Sequence, residues 1–75
     1  MKNDLEVIGS LSKEELMNVY VDCEEYYHNE TVEEHSSLGK LMTEIYGEFD
    51  DIFVEYICLQ VYRCIANKAF REVLL

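Results

Sequence analysis

The sequence predicts an all-α fold, a small three-helix bundle with a long apolar C-terminal helix. Two Ser/Thr-x-x-Glu capping boxes each stand ahead of apolar residues at helical spacing. The 75 residues contain no proline and only three glycines, so few breakers interrupt the helical segments. A third segment, 51–73, is apolar around much of its circumference. The turn dipeptides that a sandwich or barrel needs are missing.

Residues 1–10 form a lead-in. Leu5, Val7 and Ile8 can add a short strand-like or irregular piece to the core, or the segment can fray. The first helix is expected over 13–28. Ser12 is its N-cap and Glu15 its N3 partner, and Leu11 can staple onto Leu16. Leu16, Tyr20, Cys23 and Tyr27 recur at helical spacing, and Glu14, Asn18, Asp22 and Glu25 fall opposite. The second helix is expected over 32–46, because Thr31-Val32-Glu33-Glu34 repeats the capping pattern. Leu38, Leu41, Met42, Ile45 and Phe49 form its stripe. Lys40 and Glu44 are spaced to pair. Gly39 weakens its middle by up to about 1 kcal/mol relative to alanine, and Gly47 marks its end.

The third helix is expected over 51–73, capped by Asp50 or Asp51. Phe53, Val54, Ile57, Cys58, Val61, Tyr62, Ile65, Ala66, Ala69 and Val73 make a wide apolar arc. Only the strip through Tyr56, Gln60, Arg63, Asn67 and Arg71 reads as polar. Leu59, Phe70 and Leu74 lie on a far flank, which marks them as a self-association surface. Short linkers favour antiparallel neighbours, so the last helix becomes the spine of a single domain spanning 1–75.

A chain of this length buries only about 60% of the surface its unfolded form exposes. It therefore needs a staple, a metal or a partner. Three cysteines, Cys23, Cys58 and Cys64, are an odd number and form no CxxC pair, which argues against a disulfide-stapled secreted fold. Met1–Val7 has no long apolar run of the kind a signal peptide carries, and 52–62 is too short and interrupted to span a bilayer. A cytoplasmic protein without a membrane partner is expected.

The net charge is -10, beyond the usual magnitude of about 2–8 for a small domain. Residues 1–55 hold 15 acids against three lysines, a net -12, whereas residues 56–75 are net +2. This argues against direct binding to nucleic acid or to an anionic membrane and favours a basic partner. A nucleic-acid-binding protein, such as a nuclease or transcription factor, presents that kind of surface.

Catalytic and cofactor motifs are missing: there is no phosphate loop, HExxH, nucleophile elbow or EF-hand spacing. No enzyme, no cofactor and no metal site is expected. Glu25-Tyr26-Tyr27-His28 matches the Glu-x-x-His pattern of di-metal bundles once, but Val32 stands three before His35, so the second motif is missing. Cys23, flanked by Asp22 and Glu24, is a poor thiolate and a good small hydrophobe. The function expected is that of a small acidic regulator or inhibitor that docks on a basic protein. Its binding residues are Glu14, Asp22, Glu25, Tyr26, Glu33 and Glu44, since tyrosine among carboxylates suits an interface. The alternatives are a homodimeric scaffold using helix 51–73 and a metal-binding helical protein.

Overall fold

The computed structural model describes residues 2–74, and the side chains among them through Lys68. The chain is all-α, a small bundle of four helices joined by short loops, with no strand among the described residues. The helices are α1 (Asp4–Gly9), α2 (Lys13–Asn29), α3 (Ser37–Tyr46) and α4 (Val54–Leu74), with a 3₁₀ turn over Asp51–Phe53 ahead of α4.

The lead-in is where the expected count of three helices grows to four. Asn3 caps α1, its side chain accepting from the Glu6 N–H. Six residues cannot hold a helix by themselves, so α1 is held from outside. Ile8 is fully buried, worth about 1.5–3 kcal/mol. The Lys2 N–H donates to the Ile45 carbonyl at 2.9 Å, and the Lys2 ammonium pairs with Glu44. That pairing replaces the expected Lys40–Glu44 contact. α1 packs on α3 and α4.

α2 begins where the sequence places it. The Glu15 N–H donates to Ser12 Oγ at 3.1 Å and the Ser12 N–H to Glu15 Oε1 at 2.9 Å, so two otherwise orphaned donors are satisfied. Leu11 is half-buried against the core and Leu16 is buried. The helix ends on Glu30, a non-glycine residue in the left-handed region at φ 56°, whose N–H donates to the Tyr26 carbonyl at 2.7 Å.

The second capping box does not form. Residues 30–36 are loop and turn, and α3 starts at Ser37 rather than at 32. A different cap wins. Ser36 Oγ accepts from the Gly39 N–H at 3.0 Å, and Asp22 of α2 accepts from the Leu38 N–H at 3.0 Å. The second bond exists only once α2 and α3 are packed, so no local pattern announces it. Gly39 stands in the first turn of α3, not in its middle. A Cβ there would lie 2.2 Å from the Glu33 carbonyl oxygen and 2.4 Å from that of Glu34. The loop lies against the helix at a spot that only glycine leaves open. Gly47 ends α3 as expected, at φ 81°, with its N–H on the Thr43 carbonyl.

Asp50 accepts from the Ile52 N–H at 3.1 Å, so the predicted cap heads the 3₁₀ turn and α4 proper follows at Val54. Val54, Ile57, Cys58 and Val61 join Leu16, Val19 and Cys23 of α2 and Leu38, Leu41, Met42 and Ile45 of α3 in one core with Ile8. Gln60, expected on the polar strip, is buried. It follows by one turn Tyr56, whose phenol is pushed up first by Asp4 of α1, and α1 packs on α4, so α1 covers this side of α4. Leu59, on a different side, stays 46% exposed. Among the described residues no helix is long and apolar enough to cross a membrane.

Candidate functional site

Three of the six expected partner-binding residues come together. Asp22 and Glu25 of α2 and Glu33 of the following loop line one open cleft of about 260 Å³, with Asn29, Thr31, Val32 and Ser36. α2 places Asp22 and Glu25 one turn apart, and the loop brings Glu33 back across them because it packs on Gly39. Asp22 is half-buried, since its carboxylate caps α3. Glu25 and Glu33 are exposed. The one ion pair among the described residues is Lys2–Glu44, so no cation of the chain's described part neutralises this cleft.

The other three lie apart. Glu14 is exposed near the start of α2. Glu44 is tied to Lys2 and borders a second cleft, of about 200 Å³, with Val7, Leu11, Glu15 and Lys40. Tyr26 is half-buried against the core, whereas its neighbour Tyr27 is exposed.

The tyrosines form a cluster that one-dimensional reading misses. Tyr20 and Tyr62 meet edge to face at 5.7 Å, Tyr27 and Tyr62 stack at 6.1 Å, and Tyr26 meets Tyr27 at 5.4 Å. The Tyr62 hydroxyl donates to Glu24 Oε1 at 3.0 Å. Burial, then Glu24, pushes the Tyr62 phenol well up, and Glu24 pushes Tyr20 up as well. The helical period could have grouped Tyr20, Glu24 and Tyr27 on one face of α2, but nothing local places Tyr62 against them.

Of the expected self-association residues, Leu59 is exposed on α4. The side chains of Phe70 and Leu74 lie outside the described residues. Cys23 and Cys58 are buried together and Cys64 is half-buried, all as free thiols. The Cys23 thiol is held far above its ordinary range, first by the Cys58 sulfur, then by burial and by the Asp22 and Glu24 charges. That environment suits a packing residue and opposes a nucleophile. His28 and His35 are exposed. Among the described residues no three His, Cys, Asp or Glu side chains are grouped to hold a metal ion. Comparison with protein-family profiles, with curated proteins and with solved structures finds no match.

Proposed function

We propose that the protein is a small acidic regulator or inhibitor that docks on a basic partner protein, with its chemistry confined to binding. The observation that carries this reading is the cleft lined by Asp22, Glu25 and Glu33, carboxylates that no lysine or arginine of the described residues pairs. Like charges gathered at one place repel one another, at a cost that a cationic partner removes. Surface fields of this kind raise association rates more than they lengthen complexes. A homodimeric scaffold is the second reading. It rests on the exposure of Leu59 on α4.

The test is capture of partners from the native host, followed by kinetics on the purified pair. The partner is expected to be basic. Its association should slow as salt rises, since exposed charges are screened over about 8 Å at physiological ionic strength. Reversal of Glu25 and Glu33 to lysine should slow association while preserving helix content. An association rate indifferent to both salt and the double reversal would rule the reading out.

A further inference from the structure

Cys23 of α2 and Cys58 of α4 are free thiols, both fully buried in one core. The two helices run antiparallel, because Tyr20 meets Tyr62 at 5.7 Å, whereas Tyr26, further along α2, lies near Glu55, further back on α4. Cys23 stands midway between Tyr20 and Tyr26, and Cys58 stands between Glu55 and Tyr62. This register sets the two cysteines opposite each other, and their burial turns both into the contact. Residues of α2 and α4 come within 8 Å, Cα to Cα. Packed helix axes lie about 8–10 Å apart and each Cα rides about 2.3 Å off its axis, so facing Cα atoms stand about 3.5–5.5 Å apart. That range overlaps the Cα span of a disulfide, about 4.4–6.8 Å. Each sulfur is also the largest influence on the other. The Cys23 S–H favours a thiolate at Cys58, which holds Cys58 below the ordinary thiol range and Cys23 above it. Cys64 is placed differently. It follows Cys58 by six residues, more than a turn and a half along α4, and it is only half-buried.

We propose that Cys23 and Cys58 form a redox site, which peroxide closes to a disulfide and a thiol reductant reopens. The Cys58 thiolate attacks one peroxide oxygen, the O–O bond breaks, and the departing hydroxide takes the proton that Cys58 gave up. Cys58 is then a sulfenic acid. It no longer draws on the Cys23 proton, so the largest influence that raises Cys23 is gone. The Cys23 sulfur attacks the Cys58 sulfur, the S–O bond breaks, and hydroxide leaves with the Cys23 proton as a second water. The two thiols give up two electrons and two protons in all, and one peroxide becomes two waters. The new bond ties α2 to α4 around the segment that holds α3. It shrinks the unfolded ensemble and supplies the staple that a short chain needs. Asp22 adjoins Cys23 and caps α3, so the bond also fixes the helix that carries the acidic cleft.

Peptide mapping of the whole folded protein, exposed to hydrogen peroxide and then alkylated under denaturing conditions, tests the proposal. The peptides of Cys23 and Cys58 should appear joined, with a mass two hydrogens below their sum, and Cys64 should be alkylated. Dithiothreitol should restore both thiols. The urea midpoint should rise on closure and fall back on reduction. Cys64→Ser should close as the parent does, which separates the pair from the third thiol without touching the core contact. A link that includes Cys64, oxygen added at Cys23 or Cys58 with no link between them, or thiols left free after prolonged exposure overturns the assignment. So does a closed form less stable than the open one, because the bond would then form only by distorting the α2–α4 contact.

Discussion

Replacing Gly39 with alanine separates helix propensity from tertiary packing, because the two predict opposite signs. Alanine in a helix is favoured over glycine by up to about 1 kcal/mol, so propensity predicts a more stable protein. The structure places the new Cβ 2.2 Å from the Glu33 carbonyl oxygen, where ordinary contact begins at 3.4 Å. The obstacle is backbone, which has no rotamer to change. The loop must move by more than an ångström, and the same Glu33 carbonyl accepts both the Ser36 hydroxyl at 2.7 Å and the Ser36 N–H at 3.2 Å. Moving it disturbs the cap of α3 as well. Overpacking of this kind costs about 1–3 kcal/mol, so it outweighs the propensity gain in a domain whose core supplies only a few kcal/mol in all. Gly39→Ala should therefore lower the urea midpoint with little change in slope. Gly9→Ala provides the control, since nothing lies within 4 Å of the added Cβ and it should gain about 0.4–1 kcal/mol. A Gly39→Ala protein as stable as the parent, or more so, would refute the packing argument.

Ile57→Ala, at a fully buried position, should cost about 2–5 kcal/mol. Ile65→Ala, at a half-buried one, should cost less, and chemical denaturation will rank them. Glu30→Gly should raise the thermal midpoint, because glycine relieves the left-handed strain at φ 56°, worth about 1–2 kcal/mol before glycine's own entropy is charged against it. A neutral result would show that the strain is already relaxed. Alkaline pH should destabilise the fold. The Tyr20 and Tyr62 phenols are raised in the folded protein, so their contribution is complete below the ordinary tyrosine pKa of about 10 and is lost as pH climbs through the folded values. Glu24→Gln should bring Tyr20 back towards the ordinary range, read as phenolate absorbance, and an unmoved titration would mean that Glu24 is not the cause.

The start of α2, the end of α3 at Gly47 and the period of the core are legible in the sequence because each is written within about one helical turn. Ser12 and Glu15 cap each other whatever the rest of the chain does. The start of α3 is not legible, for the opposite reason. Thr31-x-x-Glu34 is as good a capping box as Ser12-x-x-Glu15 by residue type, yet Ser36 prevails because Asp22, 16 residues away, satisfies the Leu38 N–H. α1 is invisible for a related reason. Asn3 and Glu6 are spaced as a cap and its N3 residue, but six residues cannot hold a helix by themselves, and what fixes them is burial of Ile8 and the bond from Lys2 to Ile45.

The candidate site divides along the same line. Total charge is additive and can be read from composition, but the share of it that faces a partner depends on what each carboxylate already does. Glu15 is spent on its cap, which also holds its carboxyl below the ordinary range. Asp22 caps α3, Glu24 takes the Tyr62 hydroxyl and Glu44 takes Lys2. Of the six carboxylates and tyrosines named for docking, Glu14, Glu25 and Glu33 remain both exposed and free of such duties. Reversing Asp22 would therefore report on the cap of α3 as much as on any partner, because a buried donor left unsatisfied costs about 1–3 kcal/mol by itself. Charge reversals at Glu25 and Glu33 carry no such confusion. A loss of binding there with the helix intact can be assigned to the partner's charge, and the same loss at Asp22 cannot.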